Sequence, residues 1–333
     1  MGVKGYKAFN KGMICRGKQY KENATYEENG NEICEAGVMH FCENPFDVLD
    51  YYQLVDENGN IPDFADVEAI GDVYKKGNKT ATNKLHIGAK LGLKGFVKAC
   101  VDFTIEKARV ESGKDNETDS SGDYAQIGSS GYSAQIGSSG YSAQIGSSGY
   151  SAQIGSSGDS AQICSSGDSA QIGSSGYYAK IGSSGDYAQI GSSGDSAQIG
   201  SSGYSAQIGS SGYSAQIGSS GDSAQIGSSG YSAQICSSGD YAKIGSSGYS
   251  AKITSKGKNS VVMAAGYNSI AKAKIGSWIT LAEWIRTDKT NDSGKYIWIP
   301  KCVKTECVDG ERIKEDAFYK LVDGEFKEVE SEE

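Results

Sequence analysis

Apolar positions along this chain obey three different rules. From Gly122 to Ile253 the rule is strict: an Ala-x-Ile pair recurs every nine residues, from Ile127 through Ile136 and Ile145 to Ile253, in 15 copies of a unit typified by GSSGYSAQI at 128–136. Apolar residues at i and i+2 make a very short strand with one buried face. Ahead of the repeats, residues 1–75 mix β-branched and aromatic runs such as GYKAFN with turn signals such as ENGN and one helix-like stretch, NPFDVLDYY. That mixture predicts a small α+β domain. Residues 76–121 read as a basic connector, partly helical across NKLHIGAKLGLKGFVKACVDFTIEKARV and ending in the polar ESGKDNETDSSG. GKNSVVM and GYNSIAK keep the nine-residue step in degraded form, so the repeat region runs over 122–275. Residues 276–333 predict a small β cap with Asp-Gly hairpin turns at Asp309-Gly310 and Asp323-Gly324, followed by an acidic tail.

A nonapeptide cannot bury a face alone, and stacking such units around a thin apolar axis is the physical solution. Nine near-extended residues are too few to enclose Ala and Ile, so two repeats, 18 residues, make one coil with two facing sheets. The expected fold class is therefore mainly β: a parallel β-solenoid, flanked by the small α+β domain and the β cap. With strands about 4.8 Å apart, 15 repeats give a rod on the order of 36 Å long. The fourth position of the unit is glycine from Gly122, Gly131 and Gly140 through Gly266. That strictness predicts a tight turn with φ > 0. The glycine after the isoleucine is looser, becoming Cys164, Cys236 and Thr254, so that position tolerates a Cβ.

The residue after the strict glycine swaps tyrosine with aspartate, which marks it as facing water. With two repeats per coil it forms two columns. The first edge reads Asp123, Tyr141, Asp159, Tyr177, Asp195, Tyr213, Tyr231, Tyr249, and the second reads Tyr132, Tyr150, Asp168, Asp186, Tyr204, Asp222, Asp240. The first never stacks aspartate on aspartate, avoiding repulsion of about 0.2–1 kcal/mol per pair; the second does so twice. Exposed tyrosines supply large contact area at low entropic cost, so these columns are the candidate partner-binding surface.

Composition agrees with a thin core: of 333 residues, 37% are hydrophobic and 46 are glycine. The net charge of −9 is uneven, with 6 basic and 14 acidic residues over 1–74 but 9 basic and 2 acidic over 75–110. Lys75, Lys76, Lys79, Lys84, Lys90, Lys94, Lys98, Lys107 and Arg109 could contact phosphates, with Phe96 and Phe103 stacking on bases. The simpler expectation is a solvated helix face packed on the first coil with its aromatics inward. Residues 123–253 carry 7 aspartates against 3 lysines, too sparse to imitate the charge of DNA. Nucleic acid is therefore not the expected partner. No run of 18 apolar residues exists and the opening MGVKGYKAFNKGM lacks a signal-peptide core, so the expectation is a chain kept in a cytoplasm, away from membranes. The 8 cysteines then read as reduced thiols rather than a disulfide set. Cys164 and Cys236, four coils apart, would lie roughly 19 Å from each other and stay free.

Candidate chemistry is sparse. Cys34, His40 and Cys42, with Cys15 nearby, are zinc-ligand types, but their spacing matches no common structural knuckle, and whether they hold metal stays open. His40 and Cys42 on one strand face would resemble a nucleophilic pair, without an orienting third group or oxyanion motif. GAKLGLKG lacks the order of a phosphate-cradling loop, and Cys302 and Cys307 read as small buried strand residues. With only 2 histidines and no paired-carboxylate signature, no enzyme and no cofactor are expected.

The nonapeptide shares its first and fourth glycines with the calcium-binding RTX β-roll repeat, but Ser133, Ser142 or Tyr178 stand where that repeat has its ligand aspartate. Ice-binding threonine ladders are missing, Thr254 being the single threonine in phase. YSAQIGSSG and NSVVMAAGYNSIAKAKIGS resemble the head repeats of trimeric autotransporter adhesins. GYKAFNKGMICRGKQY and GVMHFCENPFDVLDYY, with GSWITLAEW and IPKCVKTE near the far end, resemble a domain of unknown function from phage and prophage proteins of gut Firmicutes that accompanies tandem repeats of this kind. The resemblance implies a bacterial host and supplies no catalytic residues. Together these readings lead to a non-enzymatic protein that presents its tyrosine and aspartate edges to a host macromolecule, such as a defence or replication factor. A structural rod or adhesin-like spacer, with homo-oligomerisation, is the alternative.

Overall fold

The computed structural model describes residues 2–30, 37–56, 60–111 and 117–330, with side chains of 108–111 and 117–120 left aside. Two long sheets face each other, each contributing nine parallel strands to the repeat region and each extended by two strands from the C-terminal segment. Strand pairing runs from residue n to residue n+18, as in Gln135↔Gln153 and Ile136↔Ile154 on one sheet and Gln144↔Gln162 and Ile145↔Ile163 on the other. Two nonapeptides per coil is thus the geometry adopted.

The core follows from the spacing. Within each unit the Ala and Ile side chains point inward, and every repeat isoleucine is 3% exposed or less. Burying each contributes about 2 kcal/mol. A serine two residues after each isoleucine also points inward. On the sheet containing Gln135–Ser138 its hydroxyl in most coils accepts the N–H of the following strict glycine, as Ser174 does from Gly176 at 3.3 Å, Ser156 being an exception.

That glycine is required for a reason other than the one its strictness predicts. None of the strict glycines from Gly140 to Gly266 has φ > 0. Instead, a Cβ at Gly194 would lie 1.8 Å from the carbonyl oxygen of Gly176, one coil earlier, and Gly140 to Gly266 all meet the same obstacle at 1.7–2.0 Å. Close approach of successive coils excludes the side chain. The left-handed conformation falls two residues later and on non-glycines: Ser169, Tyr187, Ser205, Ser223 and Tyr241 have φ of 52–58°.

The expected boundary after residue 75 cuts a folded unit. Val73–Lys76 pairs with Lys79–Thr82, which joins Met39–Phe41 in a three-stranded sheet, and Lys84–Lys90 is an interior strand of a four-stranded sheet beside Asp63–Ala69 and Ala24–Glu27. The uneven charge is settled by the same fact. Lys75 pairs with Glu43, Lys84 with Glu27 and Lys90 with Asp63, basic residues of one half meeting acids of the other across strands. The stretch NPFDVLDYY contains a short 3-10 helix, Phe46–Asp50. The helix Gly92–Glu111 leaves the domain to lie across the outer face of one solenoid sheet, over its first four strands rather than the first coil alone.

At the far end, Asp323-Gly324 makes the expected hairpin turn, both residues having φ > 0, between Phe318–Val322 and Glu325–Val329. Asp309-Gly310 does not close a hairpin. The Asp309 carboxylate accepts backbone N–H groups of Glu311, Arg312 and Ile313 and shapes the loop that carries the chain from one sheet to the other. The second hairpin lies elsewhere, between Trp278–Thr290 and Tyr296–Cys307. Among the described residues no helix is long and apolar enough to cross a membrane.

Candidate functional site

The turn before each strand places one repeat residue at the rim of the rod, and the two rims differ in backbone. On the first edge the N–H of Ser160 donates to the carbonyl of Tyr141, one coil earlier, at 2.8 Å. On the second edge the N–H of Ser151 still donates to Tyr132, but from Ser169 to Tyr241 the peptide is reversed: the N–H of Ser169 donates to the carbonyl of Asp186, one coil later, at 2.8 Å, a reversal the first edge shows at Ser250, whose N–H donates to Tyr267. The left-handed residues just described sit at this second turn. The reversal leaves the next backbone N–H facing the column of aspartates, which take it up. Asp168 accepts the N–H of Asp186 at 2.9 Å, Asp186 that of Tyr204 at 2.7 Å, Asp222 that of Asp240 at 2.8 Å, and Asp240 that of Lys258 at 2.7 Å.

This separates the candidate aspartates into two kinds. Asp168, Asp186, Asp222 and Asp240 hold the coils together, and hydrogen bonds to carboxylate offset the like-charge stacking that the sequence shows. Asp159 and Asp195, with Asp123, lie on the first edge between tyrosines, and their carboxylates take part in no such ladder. Tyrosines stand exposed on both rims. On the second, Tyr132 stacks on Tyr150 at 5.2 Å and Tyr204 meets Tyr187 edge-on at 5.9 Å. On the first, Tyr141 and Tyr177 alternate with aspartates, and Tyr177 meets Tyr178 edge-on.

Where the aspartates stop, the first edge becomes a continuous ladder. Tyr213, Tyr231 and Tyr249 stack at 4.8 and 4.5 Å with planes within 12°, Tyr249 continues to Tyr267 at 4.8 Å, and Tyr267 meets Trp298 at 4.2 Å. Desolvation in the stack, reinforced by the hydroxyls of Tyr231 and Tyr267, holds the Tyr249 phenol above its ordinary pKa. Ring faces cover one another here, so edges and hydroxyls are what the ladder offers. Tyr267 keeps the repeat phase and was within reach of the sequence. Trp298 comes from the C-terminal hairpin, outside any period, and Tyr178, Tyr187 and Tyr241, like Tyr124, occupy a position that is serine in most copies.

The outer faces of the two sheets differ as well. One is covered by the N-terminal domain. Val97 packs on Gly182, Leu54 and Leu93 on Gly200, Val55 and Ile61 on Gly218, and Cys100 on Cys164. Polar contacts add to these: the Leu54 N–H donates to Gln198 at 2.8 Å and Gln162 donates to Asp50 at 3.1 Å. The other face is a shallow groove of about 1430 Å³, floored by glycines from Gly137 to Gly245 between glutamines and ending at Val261 and Met263.

The remaining candidates fall in or beside the N-terminal domain. Cys34 lies outside the described residues; His40 and Cys42 line one cavity there. Burial pushes the Cys42 thiol up to about 12, helped by Asp47 and Asp50, and holds His40 down to about 4, helped by Lys79, Lys7 and Arg16. At neutral pH the pair is thiol and neutral imidazole rather than thiolate and imidazolium. Phe96 is fully buried and stacked on Phe64 at 3.8 Å, so it cannot receive a base, and Phe103 lies under the Lys107 amine at 5.6 Å. Lys98 pairs with Asp102. Cys164 and Cys236 are free thiols in one column, four pairings apart. Cys302 and Cys307 are free and half-buried.

Residues 3–99 match a family described as a domain of unknown function, DUF7666. The match spans both sheets of the N-terminal domain and the first turns of the helix that seats it on the solenoid. No curated protein matches the chain. No solved structure matches it either.

Proposed function

We propose that this chain is a non-enzymatic binding protein that presents the rims of its solenoid to a macromolecular partner. The observation that supports this reading most is the ladder Tyr213, Tyr231, Tyr249, Tyr267 and Trp298, exposed except for the half-buried Tyr267 and already stacked before any partner arrives. Pre-ordered aromatics lose little entropy on binding, and partners gain contact area from ring edges and hydrogen bonds from hydroxyls. A protein suits such a surface better than a sugar, whose rings would need the aromatic faces that the stack conceals. Asp159 and Asp195 extend the same rim with unpaired charge that favours a partner carrying lysine or arginine.

The setting that belongs to this proposal is a phage- or prophage-encoded protein acting on a host defence or replication factor in a bacterial cytoplasm. The alternative, a rod or spacer in a larger particle, draws on the uniform stacking of the coils and on the exposed apolar edge strand Tyr296–Cys307, whereas the other terminal edge strand, Glu325–Val329, carries charges that oppose end-to-end growth. Capture from bacterial lysate with the full chain and with a Tyr213→Ser, Tyr231→Ser, Tyr249→Ser variant separates the readings. The intact chain is expected to retain proteins that the variant loses, at unchanged circular dichroism. Equal recovery by both would remove the ladder as a partner site, and long polymers by light scattering at micromolar concentration would favour the rod.

A further inference from the structure

The N-terminal domain encloses a cavity of about 520 Å³ that the solenoid reading does not use. The first strand, Val3–Phe9, supplies its floor with Lys7; the ribbon Ile14–Cys15 and Lys18–Gln19 and the strand Met39–Phe41 form its sides; Tyr51 and Tyr52 close it from beyond the 3-10 helix. This volume suits a ligand of mononucleotide size.

Its charge is unlike that of the molecule around it. Lys7 is 7% exposed, yet among the described residues its amine meets no carboxylate: it donates to the His40 carbonyl at 2.8 Å and has the Cys15 thiol alongside. Arg16, held at the mouth with φ of 50°, makes no ion pair among the described residues. Lys79 lies over the Tyr51 ring at 4.1 Å, and among the described residues Lys18 is the one lining cation with an acid, Glu28, at 2.6 Å. In a chain of net charge −9, the described residues lining this cavity gather four cationic side chains against one carboxylate. A buried ammonium without a counter-charge is costly, and a structural role would be met more cheaply by an apolar residue. Desolvation holds the Lys7 amine below its ordinary pKa, and the His40 imidazole is depressed by burial first and then by the positive charge of Lys79, Lys7 and Arg16. An entering anion removes both penalties. The walls fix the rest of the ligand: Tyr6, Tyr20, Phe41 and Tyr52 surround the floor with ring surface, which a planar group fills by stacking.

We propose that this cavity binds a small aromatic phosphate of the nucleoside monophosphate class, its phosphate on Lys7 and Arg16 and its ring among the tyrosines. The inference is independent of the partner-binding reading of the solenoid rims, and either can fail alone.

Calorimetric titration and thermal shift of the full chain test it, with AMP, GMP, phenyl phosphate, adenosine, benzoate and inorganic phosphate as probes. Aromatic phosphates are expected to bind, with adenosine and inorganic phosphate each at least tenfold weaker than AMP. Lys7→Met is expected to abolish AMP binding while leaving the melting midpoint of the unliganded protein unchanged or higher, an outcome that a purely structural lysine would not give. Arg16→Ala, at an exposed turn, is expected to weaken AMP at least fivefold without altering the fold. In the nuclear magnetic resonance titration of His40, the midpoint is expected to move upward when AMP is present. Absence of any aromatic-phosphate binding at millimolar concentration, adenosine equal to AMP, or AMP binding retained by Lys7→Met would overturn the proposal, and benzoate binding without phosphate binding would overturn its phosphate class.

Discussion

On the covered sheet of the solenoid, a Cβ at Gly146 would lie 1.8 Å from Thr104 Oγ1, and Gly182, Gly200 and Gly218 each touch a side chain of the N-terminal domain. On the open sheet, the same repeat position at Gly155, Gly173, Gly191, Gly209 and Gly227 has nothing within 4 Å of an added Cβ. Both faces are written in the same nonapeptide, so the repeat encodes the rod without encoding which side is covered. The departures from the repeat carry that information. Cys164, Cys236 and Thr254, the departures at the glycine after the isoleucine, all stand on the covered sheet, while the open one keeps glycine there from Gly137 through Gly245. A position that looks merely tolerant when the copies are pooled is therefore two positions, one fitted to a neighbour and one facing solvent.

The comparison is sharpest between glycines three residues apart. Gly194→Ala, which forces a Cβ against the Gly176 carbonyl, is expected to cost about 3 kcal/mol. Gly191→Ala on the open face is expected to be neutral or to stabilise by up to about 1 kcal/mol, because it only stiffens the unfolded chain. Urea denaturation of the two variants reads the difference directly, and equal midpoints would mean that coil-to-coil contact does not set the strict glycine.

Legibility followed periodicity. The isoleucine ladder, the 18-residue coil and the two Tyr/Asp columns could be read from the spacing of identical residues, because a parallel in-register stack repeats in space whatever repeats in sequence. The strict glycines were identifiable as constrained, but their cause lies 18 residues away and left no local mark. The helix Gly92–Glu111 and the strands before it looked like a separate basic segment because the acids that neutralise them, Glu27, Glu43 and Asp63, precede them by tens of residues. Trp298 and the cavity of the N-terminal domain had no signal at all: the one joins the ladder from a hairpin outside the repeat, and the lining of the other is drawn from separate segments of the first 80 residues.

Weakening the seal on the covered face tests the comparison from the other side. Val97→Ala removes methyl groups packed on Gly182 and is expected to cost about 2 kcal/mol, with faster amide exchange along the helix Gly92–Glu111. Gln189→Ala, on the open sheet, is expected to leave both unchanged. Protection of the helix that survived Val97→Ala would place the seal in the polar contacts instead.

The smallest expected effect depends on pH. Asp47, beside Gln144 on the covered face, is pushed up to about 6 by burial and by Asp50 against the favourable hydrogen bond from Gln144. A carboxyl whose pKa is raised on folding binds its proton more tightly in the folded state, so its contribution to stability falls as pH rises from about 4 through about 6. Asp47→Asn removes that loss. At this half-buried site the gain at pH 8 is expected to be on the order of 1 kcal/mol after screening, and it should vanish at pH 3. Thermal melts of both proteins at the two pH values measure it, and a gain of equal size at pH 3 would assign the effect to packing.

The pairing of every residue with the one 18 positions later also imposes a parity on the length of the rod. Adding or losing two nonapeptides changes its reach by one layer and keeps every downstream residue on its own side. Adding or losing a single nonapeptide turns everything beyond it through half a revolution: Cys236 and Thr254 would exchange the sheltered side for the open one, and the tyrosines from Tyr213 onward would move to the rim whose backbone is built for aspartate. Because the copies are nearly interchangeable as peptide, gene-level slippage between them is an obvious route to variation. Even slips would yield a longer or shorter ruler, and odd slips a protein whose aromatic ridge points the opposite way.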